Sequence, residues 1–345
     1  MKSIFNSQMV ILGTAALVLA GCGGGSAPGT GQLSIGLTEG PVESATRVVV
    51  AFNGIELKPT GAAPLPMITM NESSCDSFYA AIGTCSIDLL TLTGTNRRVV
   101  FSGDIEAGDY QWIRLAVTAE RNVVDSYIEF EDGSMCSLWI PSGSETGLQV
   151  VSGITVTANG LSDYTLDLDV RKSVTAPPGQ ASFPDPVACQ QNYVMKPAIR
   201  IVDTTEVGAI AGTVDKNLLA ANASCTLDEF GLYQNVAVYL FEDFEQMAQM
   251  AVADDMDDDP TYPDPVTSAS VVFDDDPAVQ AYVYEAGFLL SPANYLAALT
   301  CTSDLDDGAV DDFDPDSQAM QDCSFIAERA VMTEVNMTVD GSFGN

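Results

Sequence analysis

Apolar side chains recur at every second position through most of this chain, a period that predicts β-strands rather than helices. Within residues 112–118, Ile113, Leu115 and Val117 share one face. Ile128 and Phe130 alternate with Tyr127, Glu129 and Glu131, while Leu166, Leu168 and Val170 alternate with Asp167, Asp169 and Arg171. The same beat returns at Ile210, Gly212 and Val214, and again at Val236, Val238 and Leu240. Turn-forming clusters separate these runs: Glu39-Gly40-Pro41, Asp132-Gly133 and Pro177-Pro178-Gly179. Many short, half-buried strands with such punctuation predict an all-β chain folded as two antiparallel β-sandwich domains. Helix is scarce; Phe244, Met247 and Ala251 carry helical spacing and predict one helix over 242–252, on a loop. The βαβ alternation of a nucleotide-binding fold is absent, as is a glycine-rich phosphate loop.

Two segments echo one another. Glu106-Ala107-Gly108-Asp109-Tyr110 and Ser291-Pro292-Ala293-Asn294-Tyr295 each place a tight turn and a tyrosine before an apolar strand. The tyrosine is expected to pack its ring while its hydroxyl finds a backbone partner.

The amino-terminal residues follow a different pattern. Lys2 precedes an apolar stretch, Met9 to Ala20, which suits a signal-peptide core and falls short of the ~20 residues needed to span a bilayer. Leu19-Ala20-Gly21-Cys22 then matches the lipobox of bacterial lipoproteins. In such proteins the chain is cut before the cysteine, whose thiol carries a diacylglyceryl group and whose amine takes a further acyl chain. Each buried CH₂ contributes about 0.8 kcal/mol, so two or three chains anchor a protein firmly. Gly23 at the next position is not the aspartate of the inner-membrane retention signal, which points to the outer membrane. The expected organisation is therefore a lipoprotein signal peptide over 1–21, a flexible tether over 22–31, and sandwiches over 32–203 and 207–345.

Charge narrows the partners. Against 48 acidic residues stand 13 basic ones, for a net charge of −35. Nucleic acid is excluded as a partner, because its phosphates would be repelled. The imbalance is steepest after Asp203, where Lys216 and Arg329 are the only bases. The 46% hydrophobic share is enough for real cores. No histidine occurs. Ser-His-Asp and Cys-His catalysis and histidine-ligated zinc are thereby excluded, and the expectation is that the protein is not an enzyme.

Beyond the anchor lie seven cysteines, and an exported chain normally oxidises them. Cys75–Cys85 and Cys136–Cys189 are the simplest pairing in the first half. In the second, Cys301–Cys323 leaves Cys225 as the unpaired candidate, with Cys225 bonded to either as the alternative. No CxxC motif supports zinc or thioredoxin-like chemistry.

Several motifs together resemble one family. They are residues 33–41 (LSIGLTEGP), Val48 to Pro59 (VVVAFNGIELKP), Ile87-Asp88-Leu89-Leu90, the EAGDYQWIRL stretch, Ile140-Pro141-Ser142-Gly143, residues 166–174 (LDLDVRKSV), and Lys196-Pro197-Ala198-Ile199-Arg200. In this order they resemble the domain-of-unknown-function 4382 family of bacterial lipoproteins, over roughly 32–203. The remainder, from residues 208–214 (GAIAGTV) through Tyr295 to Thr300, resembles the carboxypeptidase-regulatory or prealbumin-like sandwich. Both resemblances imply exported, non-catalytic β-modules.

Three constellations are candidates for chemistry. Asp304, Asp306, Asp307, Asp311, Asp312, Asp314 and Asp316 crowd around Gly308, a spacing that can offer hard oxygens to calcium. A plain solvated acidic loop is the expectation there, with weak calcium binding through these aspartates as the alternative; the clusters at 254–259 and 274–276 lack the glycine. Asp167 and Asp169 fall about 7 Å apart along one strand face, with Arg171 next, and read as a surface charge ladder. Trp112, Tyr127 and Trp139 are candidates for a sugar-stacking platform. The sequence thus predicts a lipid-anchored, non-catalytic envelope protein that engages another envelope protein or a polysaccharide, with a carbohydrate-binding surface lipoprotein as the alternative.

Overall fold

The computed structural model describes residues 29–40, 45–81, 83–141, 143, 147–175, 192–242, 265–303, 326–332 and 337–344, the segment 326–332 by its backbone path. The strands divide into two groups of two sheets. The first group comprises β1 (Thr30–Gly40), β2 (Ala45–Pro59), β3 (Ser77–Tyr79), β4 (Thr84–Asp88), β5 (Arg98–Glu106), β6 (Gly108–Thr118) and β7 (Tyr127–Phe130). It continues with β8 (Met135–Trp139), β9 (Leu148–Val150), β10 (Ile154–Val156), β11 (Leu161–Asp169), β12 (Val174–Thr175), β13 (Tyr193–Met195) and β14 (Ala198–Asp203). A four-stranded sheet, ordered β14-β11-β1-β5, faces a ten-stranded sheet along the path β10-β6-β2-β7-β8-β13-β12, with β3, β4 and β9 at its flanks.

The second group holds β15 (Val207–Val214), β16 (Ala237–Glu242), β17 (Thr267–Ser270), β18 (Val272–Asp274), β19 (Ala281–Leu290), β20 (Ala293–Thr300), β21 (Ile326–Met332) and β22 (Thr338–Asp340). Its sheets are ordered β18-β19-β15-β22 and β17-β16-β20-β21. The chain is all-β.

Alternation sets which face each strand buries. Leu33, Ile35 and Leu37 of β1 meet Val48, Val50 and Phe52 of β2 and Ile113 and Leu115 of β6 in one core. A second core joins Ile210 and Tyr284 to Val238, Leu240 and Leu299. Pairing is mostly antiparallel, but β1 runs parallel to β11, β13 to β8, and β15 to β22. Parallel neighbours need a long crossover, and more than a hundred residues separate β1 from β11.

Glu39-Gly40, expected as a turn, continues β1 instead, because Glu39 pairs with Leu168 and Gly40 with Asp169. The period-two run through Val170 also ends early. Asp169 accepts a hydrogen bond from the Lys172 amide at 3.1 Å and caps a single turn of helix, α1 (Val170–Ser173). Of the expected 242–252 helix, Glu242 closes β16 and the rest lies outside the described residues. Among the described residues no helix is long and apolar enough to cross a membrane.

The two groups of sheets are joined by polar contacts, those of Arg171 buried and that of Thr95 exposed. Arg171 of α1 is 5% exposed and its Nη1 donates to the Tyr239 hydroxyl at 3.1 Å and the Ser303 carbonyl at 2.6 Å. Lys172 donates to the Pro265 carbonyl at 2.9 Å, and the Thr95 hydroxyl donates to Glu285 at 2.9 Å. Gly287 of β19 abuts Gly94 so closely that a Cβ there would lie 2.5 Å from the Gly94 carbonyl oxygen.

Candidate functional site: an outer-face cleft and a buried charge cluster

The inner residues of β2, β6 and β8 fill the core, so their alternate residues face outward. Asn53, Arg114, Ala116, Thr118 and Trp139 accordingly line a cleft of about 470 Å³ on the ten-stranded sheet. Its floor carries neutral polar groups, Asn53 and Thr118, with the Asn53 amide donating to Thr118 Oγ1 at 2.8 Å; behind them the buried Thr84 hydroxyl donates to the Asn53 side-chain carbonyl at 3.0 Å.

One wall is the loop between β6 and β7. Ser126 fixes where it leaves the sheet: its hydroxyl donates to the Thr118 carbonyl at 2.8 Å and accepts from the Ala51 amide at 3.0 Å. The intervening residues must bulge outward, aided by Asn122 in the left-handed region at φ 59°. This carries Arg121 over Trp139, with the guanidinium carbon 3.7 Å from the ring centroid. Among the described residues Arg121 makes no ion pair and no hydrogen bond; the ring is its partner. Arg114, in the same cleft, is bound to Glu56 at 3.1 Å. A second hollow of about 310 Å³ shares Thr118 and is lined by Tyr79, Tyr127 and Arg47.

A different cluster lies beneath the second domain. Glu39 is 3% exposed and neither carboxylate oxygen closes a hydrogen bond. Burial, then the charges of Asp169 and Asp167, hold its carboxyl well above the usual range, while the Val170 amide and Arg171 pull more weakly the other way. Asp169 is raised as well, chiefly by burial. Asp167 accepts from Arg200 Nε at 2.6 Å. The expected surface ladder is therefore a buried group: β1 and β14 cover β11 on both edges, and α1 turns Arg171 into the second domain.

The other expected site residues divide. Cys75 and Cys85 are bonded. Cys136 is disulfide-bonded, and Cys189 lies outside the described residues. Cys225 is not unpaired: it is bonded to Cys301, 76 positions away. The Leu227–Tyr233 bridge folds this segment back to the start of β16, where Ala237 pairs with Thr300, and so delivers Cys225 to the residue after β20. Cys323, Cys22 and the aspartates from Asp304 to Asp316 lie outside the described residues. Asp274 and Asp276 close tight turns by accepting from the amides of Asp276 and Ala278. Among the described residues no group of three or more His, Cys, Asp or Glu is placed to hold a metal ion.

The three aromatics do not form one platform. Trp139 lines the first cleft under Arg121, Tyr127 lines the second hollow, and Trp112 lines neither. Arg121, Arg114, Asn53 and Glu39 were not expected as site residues. The scarcity of bases was the available signal for Arg121, since an arginine at a strand end stands out in so acidic a chain.

The molecule thus belongs to the class of two-domain all-β proteins with an open cleft on the first sandwich. Residues 30–197 match the model of a family described as "Domain of unknown function (DUF4382)". No curated protein matches the chain. Among solved structures it is similar to a candidate cell adhesion protein of Bacteroides fragilis, at 8% identity over 90% of this chain and 92% of that one, with a TM-score of 0.20. A candidate adhesin of Bacteroides ovatus gives 5% identity over 90% and 88%, with a TM-score of 0.18. The major pilin of Streptococcus pyogenes gives 10% identity over 90% and 97%, with a TM-score of 0.14. Superpositions at this level establish neither a shared fold nor a shared role.

Proposed function

We propose that this chain is a lipid-anchored protein of the bacterial outer membrane, held through Cys22, whose paired sandwiches form a non-catalytic module that engages another component of the envelope. The observation that carries the reading is the cleft in which Arg121, stacked on Trp139, has no carboxylate partner among the described residues. In a chain of net charge −35 an unpaired guanidinium held over a cleft is a ready contact for a partner. The second sandwich is read as a prealbumin-like spacer, with weak calcium binding at Asp304–Asp316 as part of the same proposal. The alternative, a carbohydrate-binding surface lipoprotein, is favoured by the Asn53 and Thr118 floor, whose amide and hydroxyl suit sugar hydroxyls.

Two measurements test the reading. The wild-type chain is expected to incorporate labelled palmitate and to stay on membranes through a high-salt wash, and Cys22→Ser to take no label and to be released by that wash; a Cys22→Ser chain that still takes label overturns the anchor. The unacylated Cys22→Ser protein is then expected to co-sediment with isolated envelopes, and Arg121→Glu in that background to remain in the supernatant. Equal sedimentation of the two would remove the cleft as the contact.

A further inference from the structure

Resting on the reading of the cleft as a binding face, we propose that its ligand is a carboxylate-bearing oligosaccharide, a uronate-containing glycan, with Arg121 facing an acid group and Asn53 and Thr118 facing ring hydroxyls.

Four observations converge on this chemistry. The first is charge. The chain holds 13 bases against 48 acids, yet two arginines line one cleft. Neutral sugars give no reason for that concentration, whereas a carboxylate does. Glu120 also lines the cleft and Glu56 already engages Arg114, so Arg121 is the guanidinium with spare charge.

The second is geometry. With its guanidinium carbon 3.7 Å from the Trp139 ring centroid, Arg121 rests on the indole while its N–H fork can still meet a carboxylate bidentately. Stacking holds the long side chain in place before the ligand arrives, which lowers the ordering cost of binding. It also covers the face of Trp139 that a neutral sugar would stack upon.

The third is the polar floor. Asn53 and Thr118 line the cleft, hydrogen-bonded to one another and held from behind by Thr84, and the Asn53 amide and Thr118 hydroxyl keep capacity for a further partner. Such a floor suits a hydroxyl-rich ring and offers an acidic peptide little. The fourth is size. At about 470 Å³ the cleft falls in the range of small-ligand sites, while in the 310 Å³ hollow across Thr118 the arginine, Arg47, is already paired with Asp88 and Glu129, so the acid group is read in the first cleft.

The experiment uses the mature protein with Trp112→Phe, so that Trp139 alone reports. Trigalacturonate, galactotriose and a polyglutamate peptide are titrated by tryptophan fluorescence and calorimetry, at low and high salt. Trigalacturonate is expected to bind with loss of affinity as salt rises, and galactotriose at least about tenfold more weakly, the worth of one charge-assisted hydrogen bond. Arg121→Gln is expected to lower trigalacturonate affinity by about tenfold or more while leaving the unfolding midpoint unchanged. Equal binding of acidic and neutral trisaccharides overturns the proposal while leaving the cleft as a sugar site. Arg121-dependent binding of polyglutamate alone overturns it in favour of an acidic protein surface. No binding of any probe overturns it while leaving envelope sedimentation to decide the broader reading.

Discussion

Glu39 lies where β1 runs beneath the second domain, in an environment that favours the protonated form of its carboxyl. Removal from water, with Asp169 and Asp167 nearby, raises its pKa well above the ordinary 4.5. A carboxyl so raised binds its proton more tightly folded than unfolded, so its contribution is complete at acidic pH and is lost as pH rises toward the folded pKa. Asp169 is raised too and acts in the same direction. Asp132 and Asp340 are lowered, each by the Ser134 or Ser342 hydrogen bonds beside it, and weaken the fold only in more acidic solution. Between mildly acidic and neutral pH the stability should therefore fall as pH rises, by at most about 1.4 kcal/mol per pH unit for each proton released. Urea unfolding across that range checks this. Glu39→Gln, isosteric and uncharged, should flatten the slope and be more stable than wild type at neutral pH; an unchanged slope would remove Glu39 as its source. Sequence gave no hint of this role. Glu39-Gly40-Pro41 carries the composition of a turn, and only pairing with β11, far along the chain, makes it a buried strand end.

Elements were the most legible scale. Both tyrosines expected after tight turns behave as their setting requires: the Tyr110 hydroxyl donates to the Glu106 carbonyl at 2.7 Å, and Tyr295 to the Leu290 carbonyl at 2.9 Å. Each ring is 3% exposed, and burial pushes the Tyr295 phenol up to about 12. The bond ties the end of one strand to the start of the next, β5 to β6 and β19 to β20, and so fixes the corner where the chain crosses from one sheet to the facing one. Tyr110→Phe keeps the ring and strands the Glu106 carbonyl, and chemical denaturation should show a loss of about 1 kcal/mol. No measurable loss would mean that water satisfies the carbonyl and that the ring alone matters. Local signals of this kind were readable because both partners lie within five residues. Helix α1 was not, since Asp169 ends the strand only by capping the turn after it, and in a period-two run Asp169 looks like one more outward residue. The parallel pairs were hidden for a related reason, as register between distant strands leaves no mark on either strand alone. Arg121 was hidden too: its position over Trp139 depends on Ser126 pinning the loop.

At the scale of the whole molecule, the question is whether the two sandwiches move as one body. Their contact includes a minor apolar cluster of Val202, Val207 and Phe288. The weight falls on Arg171, which crosses from α1 to Tyr239 and Ser303 with its charge buried. A buried arginine is costly to place, but once placed its removal leaves acceptors without donors and nearby carboxylates less compensated. Tyr239 and Ser303 would lose a donor, and Glu39 and Asp169 would lose the positive charge beside them. Arg171→Met keeps the aliphatic stem and removes the head, so its effect isolates the polar contact from packing. We expect it to cost about 3 kcal/mol, from two hydrogen bonds to a charged donor, and to split unfolding into two calorimetric transitions, one per sandwich. The Cys225–Cys301 bond lies wholly within the second domain, so that domain should retain its own cooperative transition after uncoupling. A single transition at an unchanged midpoint would show that the Lys172, Thr95 and Gly94–Gly287 contacts suffice without Arg171. The distinction bears on function, because a cleft on the first sandwich can be held in a fixed direction from the rest of the molecule only if this joint is stiff.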